Sequence, residues 1–235
     1  RPAMVFLHEG LGSVAMWRDF PQRVADACGC EAVVFSREGY GRSDPAPRAR
    51  GVDYLHRQGI DVLPRVLDAL ELRRPYLFGH SDGASIALLC AGASATELSG
   101  IVVMAPHVLV EDITLAGIRE AAVIWDKSDL PQRLARFHSE ANGATVFAAW
   151  QDIWLNPAFR SWNIQDCLPA IRCPVLAIQG EDDEYGSMVQ IDLIAAGAPD
   201  VELLKLADCR HSPHKDQPQA VIDAVSEFVR RVEDV

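Results

Sequence analysis

The stretch PYLFGHSDGASIALLCAGA, residues 75–93, changes period in its middle. Its first five residues, Pro75 to Gly79, read as a short apolar strand, and Ala84 to Ala93 is a run of small and apolar residues with helical character. Between them stands Gly79-x-Ser81-x-Gly83. A serine forced into a tight strand-to-helix turn needs small neighbours two positions before and after it, and two glycines provide that room. Such a turn lifts the hydroxyl above the sheet and aims the N-H groups of the following helix at the same spot.

Working outward, β-branched and apolar runs recur along the chain at Ala3 to His8, Ala32 to Ser36, Ile101 to Ala105, Pro174 to Gln179 and Val201 to Leu206. Longer stretches of helical period separate them, which is the pattern of parallel strands joined by crossover helices. Most of the runs are apolar throughout, as strands buried on both faces are. The expected class is α/β, with a mostly parallel sheet and flanking helices. A closing helix is expected over Val221, Ile222, Val225, Phe228, Val229 and Val232, behind Asp216 as N-cap.

One interval breaks the alternation. Residues 107–172 hold several helical patterns and no convincing strand, and are too long for a crossover. They contain Trp125, Trp150, Trp154 and Trp162, and Leu130, Leu134 and Phe137 at helical spacing behind Ser128 as N-cap. The expected organisation is a core of residues 1–106 and 173–235 with an inserted helical cap at 107–172. The tryptophans are expected mainly to pack cap against sheet, with one or two lining a pocket.

Composition narrows the function. The 235 residues are 49% hydrophobic, enough for a substantial core, and a net charge of −11 spread along the chain disfavours nucleic acid and anionic membrane surfaces as partners. The apolar runs are too short to span a bilayer, and no signal-peptide pattern opens the chain. A cytoplasmic protein with six free cysteines is the expectation. Cys28-Gly29-Cys30 has no second pair to complete a zinc site, and Asp208, His211, His214 and Asp216 would all come from one short loop, so no metal is expected.

In an open parallel sheet, ligands sit beyond the carboxyl ends of the strands. The loops there are His8-Glu9-Gly10-Leu11-Gly12, the Ser81 turn, Gly180-Glu181-Asp182-Asp183, and Arg210-His211-Ser212-Pro213-His214. A serine hydroxyl needs a base, and the base an orienting carboxylate. His211 is nearer the end of its strand than His214, which adjoins Asp216, and so is favoured as the base. The order serine, acid, histidine follows that of the α/β-hydrolases.

These motifs, with the loop Ser36-Arg37-Glu38-Gly39-Tyr40-Gly41-Arg42-Ser43-Asp44, make nearly the whole chain resemble the α/β-hydrolase superfamily. The resemblance implies an α/β-hydrolase fold, no cofactor, and a catalytic triad of Ser81, Asp183 and His211. It favours Asp183 over Asp182, because the acid in such hydrolases lies three residues past the glycine that closes its strand. It assigns the oxyanion hole to the backbone N-H groups of Gly10 and Asp82. Arg210 stands where relatives usually have glycine. Relatives also usually carry a strand pair ahead of the first strand seen here, so a truncated start is expected.

The side chain of Glu9, which would oppose a developing oxyanion, is expected to turn away and pair with Arg37 or Arg42. Asp82 is expected to be an exposed carboxylate at a helix N-terminus, although it could tune substrates. His80 and His8 are expected to brace their loops, and His56, His107 and His138 carry no motif. Serine at the nucleophile position disfavours dehalogenase and epoxide-hydrolase chemistry. The expected activity is hydrolysis of a small or medium ester, lactone or thioester through an acyl-enzyme. The alternatives are a carbon-carbon bond hydrolase of ring-cleavage products, a non-catalytic binding protein, and, as a minor option, a perhydrolase. Oligomeric state is not legible.

Overall fold

A computed structural model of the chain describes residues 1–46 and 50–234. Six strands form one sheet in the order β2-β1-β3-β4-β5-β6, every neighbouring pair parallel. They are β1 (Ala3–Leu7), β2 (Glu31–Val34), β3 (Tyr76–His80), β4 (Gly100–Met104), β5 (Val175–Gly180) and β6 (Val201–Leu206). All six runs read from the sequence are strands, with ends shifted by one or two residues.

The continuous apolar character of the inner strands follows from burial on both faces. Val5, Leu7, Leu77, Ile101, Val103, Val175 and Ala177 face one core. Their alternating neighbours Met4, Phe6, Tyr76, Phe78, Val102, Met104, Leu176 and Ile178 face the other. The second face is covered by α1 (Phe20–Cys28) and a C-terminal helix, whose Val221, Ile222, Val225, Phe228 and Val229 recur at helical spacing and are all buried. The first face carries a helical stretch of α2 (Tyr54–His56), a π-helical turn (Arg57–Val62) and α3 (Leu63–Ala69), and beside it α4 (Asp82–Ala93).

α4 is apolar all round because it is buried all round, with every residue from Asp82 to Cys90 inside. Its entry is the tight turn at Ser81, whose φ of 53° and ψ of −116° lie outside the regions that side chains favour. Two close approaches make this turn depend on glycine. A Cβ on Gly83 would stand 2.0 Å from the carbonyl oxygen of Leu7 in β1, and one on Gly79 would stand 2.3 Å from that of Gly83.

Between β4 and β5 the chain forms α5 (Asp112–Lys127), α6 (Leu130–Ala135), α7 (Glu140–Trp154) and two 3-10 turns, Pro157–Phe159 and Gln165–Ala170. Beyond β5 come α8 (Val189–Gly197), α9 (Pro213–Asp216) and α10 (Pro218–Glu233), the C-terminal helix named above. Two expected N-caps are corrected. Asp216 ends α9, and its carboxylate accepts from the Arg210 N-H at 2.9 Å, so Gln217 precedes α10. The residue before α6 is Asp129, while the Ser128 hydroxyl accepts from Leu130 N-H and donates to the Ile124 carbonyl. In both cases a backbone group outside the following helix, the Arg210 N-H for Asp216 and the Ile124 carbonyl for Ser128, engages the side chain that composition alone would make a cap. No helix among the described residues is long and apolar enough to cross a membrane.

The close approach of α4 to β1 yields a direct test. Gly83→Ala places a methyl group against fixed backbone rather than a yielding side chain, and should cost roughly 1–3 kcal/mol. Urea denaturation should show a lower midpoint with an unchanged slope; an unaltered midpoint would mean that the turn is less tightly packed than described.

Candidate active site

Three loops at the carboxyl ends of β3, β5 and β6 bring Ser81, Asp183 and His211 together. His211 Nε2 lies 3.0 Å from Ser81 Oγ, and its Nδ1 lies 2.8 Å from both oxygens of Asp183. A carboxylate only accepts, so Nδ1 carries the proton and donates to Asp183, leaving Nε2 to accept from the serine hydroxyl. The turn at Ser81 explains the reach of Oγ: strained backbone tips the hydroxyl out of the sheet plane toward the β6 loop.

Asp183, not Asp182, faces the histidine. Asp183 is 4% exposed, whereas Asp182 is exposed and its N-H is spent on the Cys209 carbonyl. The carboxylate of Asp183 is held from two further sides, by the Gln179 amide at 2.7 Å and the Tyr185 N-H at 2.8 Å. Burial opposes its ionisation, but the adjacent His211 ring and these donors outweigh burial and bring its pKa below the usual aspartate value. Burial likewise opposes charge on His211, and the Asp183 carboxylate overcomes it, raising the ring above the ordinary histidine value. Arg210 is accommodated without a left-handed backbone, and its guanidinium lies 3.2 Å from Glu184.

His214 is placed elsewhere. Its ring packs among Trp17, Phe20 and His80, and burial pushes its pKa down to about 2. Burial thus favours its neutral form, and it packs as a core side chain.

A cavity of about 210 Å³ opens over Ser81 and His211. Gly10 and Leu11 of the first loop, Asp82, and Ile118, Leu134, Trp150 and Trp154 of α5, α6 and α7 are among its walls. Two of the four tryptophans between β4 and β5 therefore line the pocket, while Trp125 stacks on Phe147 and Trp162 on Phe159. Gly10 is confined from the side of α7, since a Cβ there would stand 2.4 Å from the Trp150 ring. Asp82 opens α4, and the leading N-H groups of a helix have no partner within it.

Two carboxylates behave differently from the sequence-based expectation. Asp82 is only 1% exposed, and it accepts a hydrogen bond from the Tyr54 hydroxyl at 2.8 Å, because the π-helical stretch brings α2 against α4. Glu9 does not pair with Arg37 or Arg42 through its side chain. The Arg37 guanidinium instead donates to the backbone carbonyls of His8 and Glu9, and Glu9 Oε2 lies 3.8 Å from His80 Nδ1. Burial works against the charge of Glu9, yet the neighbouring His80 holds its carboxyl well below the usual range.

Several contributing residues left no mark in the sequence. His138, between α6 and α7, accepts from Gly41 N-H and donates to the Leu11 carbonyl, joining that segment, the first loop and the 36–44 loop. Gln179 reads as an ordinary strand residue, and only its spacing of four from Asp183 could have suggested a role. His8, by contrast, braces the first loop as expected: it donates from Nδ1 to the Glu9 carbonyl and accepts at Nε2 from Arg37 N-H. No group of three or more potential metal ligands gathers among the described residues.

Comparison with known proteins places this geometry. The chain is 25% identical over 191 residues to human serine hydrolase BPHL, an alignment that takes in 77% of this chain and 63% of the human protein. The chain thus spans under two thirds of that relative. It is 22% identical over 255 aligned positions to the 2-succinyl-6-hydroxy-2,4-cyclohexadiene-1-carboxylate synthase of Salmonella paratyphi C, covering 97% of this chain and 94% of the synthase. In structure it matches a thermophilic esterase from Thermogutta terrifontis with a TM-score of 0.76 at 18% identity, over 99% of this chain and 90% of the esterase. A model of the alpha/beta hydrolase family matches residues 4–224. With that match over most of its length, a six-stranded parallel sheet and a serine turn at the head of α4, the chain belongs to the alpha/beta hydrolase family.

Proposed function

We propose that this hydrolase cleaves a small or medium carboxylic ester, lactone or thioester through an acyl-enzyme on Ser81. The observation that carries the reading is the continuous hydrogen-bonded line from Asp183 through His211 to Ser81, ending under an apolar pocket. In this mechanism His211 takes the hydroxyl proton as Ser81 attacks the acyl carbonyl. The N-H groups of Gly10 and Asp82 receive the oxyanion, and His211 returns its proton to the leaving group. Water, activated by the same ring, then releases the acid. Asp183 keeps the tautomer correct and stabilises the imidazolium formed in each half-reaction.

The walls of the pocket narrow the substrate. Glu9 and Asp82 bring two carboxylates to it, and no lysine or arginine is found among the described residues that line it. An anionic acyl group would meet the Asp82 carboxylate in a site of reduced dielectric, with no lysine or arginine among the described lining residues to hold it. Uncharged carbonyl compounds suit it better. The 210 Å³ volume and the tryptophans of α7 favour compact, partly apolar acyl groups.

A fluorophosphonate probe tests the nucleophile. It should label the wild-type protein at Ser81 and leave Ser81→Ala unlabelled; a folded wild type that resists the probe and turns over no p-nitrophenyl ester would refute the proposal. Among esters of matched size, a neutral acyl group should give the higher kcat/KM than one ending in a free carboxylate, and a preference for the anion would reverse the substrate assignment.

The pH profile carries a sign. Only the unprotonated ring accepts the Ser81 proton, and Asp183 favours the protonated ring, so kcat/KM should rise along an acid limb centred above the ordinary histidine value of 6.5. Asp183→Asn should move that limb to lower pH and reduce kcat by about 10³- to 10⁴-fold. A limb that stays in place would assign it to another group.

A further inference from the structure

We propose that Glu9 and His80 form a carboxylate–imidazolium pair that positions His211 and keeps the charge of Glu9 from opposing the oxyanion formed at Ser81. The proposal builds on the acyl-enzyme reading. It begins from the two nitrogens of His80, a ring 1% exposed inside the Ser81 turn. Nε2 lies 2.7 Å from the backbone carbonyl of His211. A carbonyl only accepts, so this nitrogen carries a proton. Nδ1 faces Glu9 Oε2 at 3.8 Å and has no hydrogen-bond partner of its own. A lone pair there would be turned toward a carboxylate in a poorly solvated site, whereas an N-H would meet it as an ion pair. Both nitrogens are thus best satisfied as N-H.

The surroundings support one positive charge at this place. His214 packs 4.9 Å away, ring to ring, and is neutral, so it presents no competing cation. His211 lies 5.3 Å away by ring centroid, and its own charge is answered by Asp183. Trp17 covers another side at 6.2 Å. The Arg37 guanidinium is occupied with the His8 and Glu9 carbonyls, and Lys215 favours the charge of Glu9 less than His80 does. His80 is therefore the counter-charge of Glu9.

The consequence is a lock between three loops. Glu9 precedes Gly10 in the loop after β1, His80 precedes Ser81 in the turn after β3, and the His211 carbonyl belongs to the loop after β6. The pair ties the first two, and the hydrogen bond ties the second to the third. His80 acts through His211 and Glu9 and touches no reacting atom, which makes it a positioning residue.

The test is a rescue. His80→Gln keeps an N-H that can reach the His211 carbonyl but carries no charge, so Glu9 is left uncompensated beside the oxyanion site. At neutral pH kcat on a p-nitrophenyl ester should fall about 10- to 100-fold with KM little changed. Adding Glu9→Gln should then restore at least about tenfold, although Glu9→Gln alone should bring no gain. No recovery in the double variant, with urea midpoints showing every variant folded, would overturn the pair. A readout independent of turnover is nitrogen NMR of histidine-labelled protein at pH 7. Both ring nitrogens of residue 80 should be protonated in the wild type and only one in Glu9→Gln; a single protonated nitrogen in the wild type would refute the imidazolium. Failure of Ser81 to take a fluorophosphonate would count against the acyl-enzyme reading alone, because the NMR result does not depend on it.

Discussion

The close contact of helix α4 with strand β1 is the constraint from which the rest of the molecule follows. Gly83 lies so near the Leu7 carbonyl that no side chain fits, and Gly79 is pressed in the same way from the other side of the turn. With both glycines in place, the backbone at Ser81 is held in a conformation it would not choose alone. That strain is sustained by the burial of α4 from Asp82 to Cys90 and by the sheet beneath it. Were α4 free to lift away, the turn would relax and the hydroxyl would fall back toward the sheet. Packing energy spread over many apolar contacts thus fixes the position of one oxygen.

Around that oxygen several polar groups hold one another, while His80 Nδ1, Asp82 Oδ1 and Gln179 Oε1 are buried without a hydrogen-bond partner. Gln179 and Tyr185 hold Asp183, Asp183 holds His211, and His80 holds the carbonyl of the same histidine loop. A buried acceptor left alone costs roughly 1–3 kcal/mol, so each link makes the next more definite. The segment between β4 and β5 joins this network through His138, which bonds both to the first loop and to the loop at Gly41. Movement of α7, which carries Trp150 against Gly10, would therefore be felt at the first-loop side of the pocket.

Charge at the site is as constrained as shape. The chain is acidic overall, and two of its carboxylates stand at the pocket, yet neither is left to act freely. Asp82 is drawn toward the Tyr54 hydroxyl, and Glu9 lies against His80. Compensation of this kind weakens the repulsion that each carboxylate exerts at the pocket, because the field of a compensated pair falls off faster than that of a lone charge.

The sequence by itself determined the sheet and the turn. Strand runs buried on both faces keep an unbroken apolar character, helices that cover them show their own period, and the glycines around Ser81 report a steric requirement that acts over four residues. The serine, acid and histidine could be named because each lies just past a strand end, and the choice between Asp182 and Asp183 came from likeness to known hydrolases. Tertiary structure alone decided the partners: His80 rather than an arginine for Glu9, Tyr54 for Asp82, Gln179 for Asp183, Gly41 and Leu11 for His138. The physical reason is range. Backbone periodicity and turn sterics are local and repeat along the chain, whereas the partner of a buried polar group is set by which distant loop is folded against it, and no spacing in the sequence records that distance.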